Sequence, residues 1–563
     1  MKKIVVVGGV AGGASAAARI RRLDEEATIV MFEKGPHVSY SNCSLPYYLS
    51  GIVPTSEKLV LMNPKSFETK YNIDARINSE VVSINRTEKY VTVYDQTLDE
   101  SYDESYDELI LSPGARPTIP EIEGVDLDHV FTIRNVVDIE RLSLAIEAKN
   151  AKNIAVIGGG FIGVEVAENL QTSSRNVTLV EFAPQILTPF DYDLVQILHK
   201  ELMDNGVHLV VNDGLQSISK TSITLQSNRI IDADIVILAI GVTPETSLAK
   251  NAGLEIGTTG AIKVNEYYQT SDPHIFAVGD AIEVSNRLTN QQTRLALAGP
   301  AQRQARAVAD YIYGIPTQNK GVIGSSSIQV FNFSAAATGL NERVARNLNL
   351  DVETVYILAP DKVSLMPNSN VLHFKLVFER TTGKILGAQA IGKGSADKRI
   401  DVIATLIAMN GTIEDLKELE LSYSPMFSTA KDVVNLAGLV ASNLMQGLFK
   451  QVPVLEVRRL VEEKQFILDV REKNEFANGH IKGAVNIPLS ELRKRLNEVP
   501  KDQPVYVHCR SSQRSYNAVM ALNNSGYTNV INIAGSFLGI SYVEYFLDKT
   551  LNREPIVTAY NFN

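Results

Sequence analysis

Two cysteines stand in 563 residues, Cys43 and Cys509. They are too few for a disulfide scaffold or a four-thiolate metal site, and no metal is expected. In a reducing compartment so rare a thiol is either filler or chemistry. Cys43 lies in Ser39-Tyr-Ser-Asn-Cys43-Ser-Leu-Pro-Tyr-Tyr48, and Cys509 in Val507-His-Cys509-Arg-Ser-Ser-Gln-Arg514-Ser515. An unperturbed thiol ionises near about 8.5, so each needs a cation, hydrogen-bond donors or a helix N-terminus to react as thiolate. Ser39 and Asn42 offer polar groups beside the first. Arg510 and Arg514 offer positive charge beside the second, where the loop from Cys509 to Arg514 runs into a helix expected from Ser512. His508 reads as a strand-end residue rather than a base.

Two glycine-rich strand-turn-helix openings must position this chemistry. The second is complete as Gly-x-Gly-x-x-Gly at Gly158, Gly160 and Gly163, after Asn153-Ile-Ala-Val-Ile157 and before a helix read as Val164 to Leu170. Its first glycine allows the tight turn, its second lets backbone approach a pyrophosphate, and its third permits close helix–strand packing. Glu181 lies 21 residues beyond Gly160, where an acid takes a ribose 2′-hydroxyl and repels a 2′-phosphate, which favours NADH over NADPH. The first opening, Lys3-Ile-Val-Val-Val-Gly-Gly-Val-Ala-Gly-Gly13, has Val10 at the middle glycine position between Gly8 and Gly13, a helix read as Ala14 to Leu23, and Glu33 20 residues beyond Gly13. Two βαβ nucleotide units on one chain are expected where two dinucleotides must meet. Leu109-Ile-Leu-Ser-Pro-Gly-Ala-Arg116 reads as a strand entering a tight turn. Thr270-Ser-Asp-Pro-His-Ile-Phe-Ala-Val-Gly-Asp280 reads as a strand ending in an acid suited to a ribityl hydroxyl.

Composition agrees with a multidomain globular chain: 45 % apolar, 21 % charged, 36 glycines and net charge −10. Without a basic block, a nucleic-acid partner has no electrostatic basis. No stretch reaches about 18 uninterrupted apolar residues, so no membrane partner is expected. Met1 to Val7 breaks at Gly8-Gly9 and reads as a strand rather than a secretion signal, giving a cytoplasmic expectation. Residues 326 to 445 alternate strands (Val371 to Phe378, Ile385 to Ile391) with helices (Lys398 to Met409, Ile413 to Leu419) and lack a phosphate-binding glycine turn. Met445 to Pro453 reads as a linker. Strands Phe466 to Val470, Val505 to His508 and Val530 to Ile533, with a helix from Ser512, make a small α/β unit. Ser-Tyr-Asp-Glu occurs at 101 and again at 105, and a loop or hairpin explains it.

Taken jointly, the glycine turns, the Pro113-Gly114 turn and the Gly279-Asp280 pair resemble the two-dinucleotide flavin disulfide-reductase family over about residues 1 to 445. The solitary cysteine in Ser39-Tyr-Ser-Asn-Cys43-Ser-Leu-Pro-Tyr resembles that family's single-cysteine branch: coenzyme A disulfide and persulfide reductases, NADH oxidases and peroxidases. It is most similar to the coenzyme A enzymes. The resemblance implies FAD held by Gly8, Val10, Ala11, Gly12, Gly13, Glu33 and Lys34, with Ser112, Pro113, Gly114, Arg134, Gly279, Asp280 and Ala298. It implies NADH on Gly158, Gly160, Phe161, Ile162, Gly163, Glu181 and Gly241, with Glu165 near the nicotinamide. Coenzyme A would meet Arg19, Arg22, Ser39 and Lys431, and Cys43 and Asn42 would be catalytic. Tyr423 matches a tyrosine that reaches the active site of a partner subunit, implying a homodimer with composite sites. The usual second tyrosine is replaced by Ser364-Leu-Met366-Pro-Asn368, which favours a small persulfide over bulky coenzyme A disulfide.

Leu468-Asp-Val-Arg471, Glu475-Phe-Ala-Asn-Gly-His480 and the Cys509–Arg514 loop resemble a rhodanese sulfurtransferase over about residues 455 to 550, with Ser512 at a common glycine position and Cys509, Arg510 and Arg514 catalytic. The expected fold is therefore α/β: two Rossmann-like dinucleotide-binding domains (FAD 1–115 and 245–325, NADH 116–244), an α+β dimerisation domain (326–445) and a C-terminal rhodanese domain (455–550). The expected function is NADH- and FAD-dependent reduction of coenzyme A persulfide through Cys43, with coenzyme A disulfide a lesser substrate and Cys509 passing sulfane sulfur. Thiolate attack on the inner or on the outer persulfide sulfur both remain open, as do a peroxidase or oxidase cycling through a Cys43 sulfenic acid and a sulfur carrier or redox sensor.

Overall fold

A computed structural model describes residues 1–171 and 175–562. Its core begins with the β-branched run Lys3–Val7, whose residues Ile4, Val5 and Val6 are wholly buried, as a central parallel strand covered on both faces requires. The sheet runs in the order Ile275–Ala277, Glu108–Leu111, Lys3–Val7, Thr28–Phe32, Asp74–Arg76, with Val6 in register with Met31 and Ile110. A second parallel sheet repeats the plan with Asn176–Val180, Asn153–Ile157, Ile235–Leu238 and Val130–Thr132 side by side. A three-stranded antiparallel sheet, Ser79–Asn85, Tyr90–Asp95 and Glu100–Ser105, lies between these sequence regions. The first Ser-Tyr-Asp-Glu copy lies in its third strand, as a hairpin would have it. Asp280 sits not at a strand end but in a single 3₁₀ turn, Gly279–Ala281, following the strand Ile275–Ala277.

Both glycine-turn helices begin earlier than expected, as Ala11–Leu23 and Phe161–Gln171. Gly12 and Gly13 belong to the first turn of the helix because no side chain fits there. A Cβ on Gly13 would lie 1.8 Å from the Gly8 carbonyl oxygen, and one on Gly12 2.6 Å from Ser112 Oγ.

The chain divides into two compact units, Met1–Pro184 with Val210–Val322, and Gln185–Leu209 with everything from Ile323 onward. The second unit carries an antiparallel sheet ordered Ser325–Val330, Phe333–Gly339, Ile385–Gly392, Val371–Glu379, Val352–Pro360. Sequence periodicity indicates only two of those strands, Val371–Glu379 and Ile385–Gly392. Helix Tyr192–Asp204 packs in the same unit, where Asp191, Asp193 and Glu342 surround the buried Lys375 ammonium at 3.2, 2.8 and 2.8 Å. The last sheet is parallel, ordered Lys450–Val452, Val530–Ile533, Val505–His508, Phe466–Asp469, Val485–Asn486. The segment read as a linker thus corrects to a short connection followed by an edge strand. Its alternation is too short to register as a strand before Val530–Ile533 supplies the ladder. The same unit continues past residue 550, with the Thr558 amide donating to the His480 carbonyl at 2.8 Å.

Candidate functional site

In the first unit, the turn after Lys3–Val7 is built around Gly8 at φ +98°, where a Cβ would strike the Ser112 carbonyl. Glu33, at the end of the neighbouring strand, accepts from the Gly9 and Gly35 amides at 3.0 Å each, and burial pushes its carboxyl above the usual range. A cavity of about 780 Å³ opens over this turn. Gly8, Val10, Glu33, Lys34, Ser112, Pro113, Gly114, Arg134 and Asn42 all line it. Arg134 pairs with Asp280 at 3.1 Å and lies against Gly114, so residues far apart in sequence meet at one wall. The Gly279 amide is held by Gln304 on helix Ala298–Ile312, which Ala298 opens. Asn42 Oδ1 is buried with no partner among the described residues. A glycine cradle, an acid at the ribose position and an orphaned acceptor in a cavity of ligand size fit a dinucleotide such as FAD.

Cys43 is exposed and sits in the single 3₁₀ turn Asn42–Ser44, directly before helix Leu45–Leu49. Its sulfur is nonetheless partly desolvated, which pushes the thiol pKa up. The negative charges of Glu165 and Asp280 push the same way and Arg134 opposes them. Ser39 and Asn42 do not supply the expected contact, since among the described residues neither hydrogen-bonds the Cys43 sulfur. Ser39 is occupied with backbone shape: at φ +48° its amide donates to the Gly9 carbonyl, and its carbonyl accepts from Leu61. Within the protein, thiolate character at Cys43 is favoured by Arg134 and a backbone hydrogen bond rather than by the Ser39 or Asn42 side chains.

The second glycine turn repeats the first. Gly158 stands at φ +110°, a Cβ on Gly163 would lie 1.8 Å from the Gly158 carbonyl oxygen, and Glu181 accepts from the Gly159 and Ala183 amides at 2.6 and 2.7 Å. Gly160 has open space where a side chain would project, as does Gly241 at φ +119°. Phe161, Ile162 and Glu165 follow on the helix. Burial, reinforced by Glu168, pushes the Glu165 carboxyl up to about 7. An NADH pyrophosphate fits this turn on the same grounds as FAD fits the first.

In the second unit Cys509 is buried at 1 % exposure, between strand Val505–His508 and helix Gln513–Asn524. Ser512, at the expected glycine position, takes φ +77° and caps that helix. Arg514 is committed to a bidentate pair with Glu475 at 2.6 and 2.7 Å, and Arg510 is half-buried. His508 is fully buried and held neutral by burial, with Nδ1 3.1 Å from the Cys509 carbonyl oxygen, which suits the strand-end reading. Sequence reasoning missed Ser536, whose buried hydroxyl accepts from the Cys509 amide at 3.3 Å. Only the Gly535-Ser536 turn after Val530–Ile533 hinted at it.

Arg19 is ion-paired with Asp310, at 2.6 Å, and not free for a phosphate, whereas Arg22 is exposed. Tyr423 and Lys431, in the second unit, are exposed. Among the described residues no group of His, Cys, Asp and Glu is arranged to hold a metal ion, and no helix is long and apolar enough to cross a membrane.

Two nucleotide-binding folds, an antiparallel sheet and a thiol-bearing α/β unit define a class. Residues 2–305 match the pyridine nucleotide-disulphide oxidoreductase family, residues 325–433 its dimerisation domain and residues 454–541 the rhodanese-like domain. The chain belongs to the pyridine nucleotide-disulphide oxidoreductase family, an oxidoreductase class with FAD and NAD(H) as cofactors, and carries a rhodanese-like domain. Its α/β fold class is the expected one. Among curated relatives, coenzyme A disulfide reductase of Staphylococcus haemolyticus is 33 % identical over 447 residues, covering 79 % of this chain and 100 % of that protein. Among solved structures, a reduced Bacillus anthracis protein described as CoADR-RHD superposes with TM-score 0.94 at 46 % identity, over 97 % of this chain and 98 % of that one. A NAD-dependent persulfide reductase from A. fulgidus superposes with TM-score 0.91 at 34 % identity, over 95 % and 99 %.

Proposed function

We propose that this enzyme reduces coenzyme A persulfide with NADH through Cys43, with coenzyme A disulfide a lesser substrate, and that Cys509 passes sulfane sulfur. The observation that carries the reading is a pair of solitary thiols in different housings. One is exposed next to the dinucleotide cavity; the other is buried at the head of a rhodanese-like helix. Two structural neighbours that span nearly the whole chain, one of them a persulfide reductase, support it.

Bound FAD supplies a path for the electron pair of NADH to a disulfide at Cys43. The Cys43 thiolate attacks the inner sulfur of the persulfide, forming a Cys43–coenzyme A mixed disulfide and expelling hydrosulfide. Two electrons then cleave that disulfide, returning the Cys43 thiolate and, with one proton, coenzyme A thiol. The sum consumes one NADH and one persulfide, and no metal is needed. Glu165, near neutral pKa and within electrostatic range of Cys43, is suited to holding the proton exchanged at this centre. The segment Ser364-Leu-Met366-Pro-Asn368, which lacks the family's second tyrosine, favours the smaller acceptor.

We also assign the enzyme a homodimer. The dimerisation-domain match supports this, as does the exposure of Tyr423, Met426 and Phe427 at 51, 51 and 72 % on one segment.

The test is steady-state NADH oxidation by the full-length flavoprotein with coenzyme A persulfide. Cys43→Ser should lower it by at least about a thousandfold. Cys509→Ser should leave it within about twofold and remove sulfur transfer from thiosulfate to cyanide. Undiminished turnover in Cys43→Ser, or equal NADH consumption with oxygen alone, would overturn the assignment.

A further inference from the structure

We propose that Ser536, held by Ser512, donates the hydrogen bond that stabilises the charged sulfur of Cys509. This deepens the sulfur-transfer reading above and rests on it. Both serines occupy left-handed backbone, φ +77° at Ser512 and +48° at Ser536. Glycine adopts that conformation freely and a residue with a side chain does so under strain. Two strained serines, 24 positions apart in sequence, meet at one atom: the Ser512 hydroxyl donates to Ser536 Oγ at 3.2 Å.

Counting protons gives the direction of the remaining bond. A serine hydroxyl has two lone pairs and one proton. Ser536 Oγ accepts from the Ser512 hydroxyl and from the Cys509 amide at 3.3 Å, which engages both lone pairs. Its own proton is left for the next acceptor, Cys509 Sγ at 4.0 Å. Ser536 is itself completely buried, so water does not compete for that proton.

The turn that carries Ser536 is fixed on several sides, the condition under which strained backbone persists. The Phe537 amide donates to the Cys509 carbonyl at 3.0 Å, and the Leu538 amide to the Arg510 carbonyl at 3.2 Å. From behind, the Tyr356 ring stands so close to Gly535 that a Cβ there would lie 2.9 Å from it. The charges around the thiol leave a role for a neutral donor. Glu475 largely offsets Arg514, Asp469 offsets Arg471, and His508 is buried and neutral, so Arg510 is the cation without a carboxylate partner within 4 Å among the described residues.

The experiment follows the alkylation of Cys509 by iodoacetamide against pH in the full-length flavoprotein, resolved from Cys43 by peptide mass, beside the thermal unfolding midpoint. Ser536→Gly removes the hydroxyl and relaxes the backbone. The alkylation midpoint of Cys509 should rise by about one pH unit, about tenfold less thiolate at a fixed lower pH, while the unfolding midpoint stays level or rises. Ser536→Ala should give the same shift, Ser512→Gly a smaller one, and Cys43 should not change. An unmoved Cys509 midpoint in Ser536→Gly overturns the proposal, as does a shift seen only together with a lowered unfolding midpoint. Because alkylation reads the thiol itself, a shifted midpoint in an enzyme that transfers no sulfur would support this hydrogen bond and refute the sulfur-transfer reading.

Discussion

Cys43, the proposed nucleophile, sits in a setting that resists its ionisation. Desolvation and the charges of Glu165 and Asp280 all hold its proton on, opposed by Arg134 and by a backbone hydrogen bond to the sulfur. Glu165 passes from neutral to charged around pH 7, and only its charged form raises the thiol. Glu165→Gln should therefore speed Cys43 alkylation about threefold at pH 8 and leave it unchanged at pH 5.5, where the native carboxyl is protonated. Equal acceleration at both values would mean that sterics, not charge, are responsible. The arginines of the first helix show what residue type leaves open. Arg19 pairs with Asp310, the buried Arg21 satisfies five backbone carbonyls including those of Tyr71, Ala27 and Asn72, and Arg22 alone faces solvent. Three like residues within four positions have three fates because distant segments bring Asp310 to Arg19 and the Tyr71 and Asn72 carbonyls to Arg21.

At the scale of elements, the two glycine turns are one device used twice, and their glycines divide by what surrounds them. Gly163 abuts backbone, so Gly163→Ala should cost about 2–4 kcal/mol in chemical denaturation. Gly160 faces open space, so Gly160→Ala should change stability by less than about 0.5 kcal/mol yet raise the KM for NADH about tenfold, its methyl occupying the path by which a pyrophosphate nears the amides. A variant pair with the opposite ranking in stability would refute that division. These turns were legible because glycine spacing and β-branched strands are local signals. The helix starts were not, since the packing of Gly12 against Ser112 and of Gly13 against the Gly8 carbonyl is set by tertiary approach. Lys450–Val452 escaped for the same reason, its strand character residing in the partner Val530–Ile533.

At the scale of the molecule, the proposed homodimer together with the family resemblance of Tyr423 predicts that this tyrosine acts in trans. The protein should elute at twice its 61.7 kDa chain mass. In heterodimers isolated with two tags, one subunit Cys43→Ser and the other Tyr423→Ala, one site regains both native residues. Persulfide-dependent NADH oxidation should then recover to about half of wild type. Activity no higher than that of the Tyr423→Ala parent would place the tyrosine in cis or outside the reaction.

The chain's order of residues alone determined the two nucleotide-binding folds, the α/β class and both thiols, because each rests on short-range patterns: a glycine spacing, an alternation, a rare residue type. Only the tertiary structure decided what surrounds those thiols. The placing of Glu165, Asp280 and Arg134 about Cys43, the union of Arg134 with Asp280, the commitment of Arg514 to Glu475 and the meeting of Ser512 with Ser536 all join residues from separate segments. Hydrogen bonds and ion pairs depend on distance in space, which local sequence does not encode.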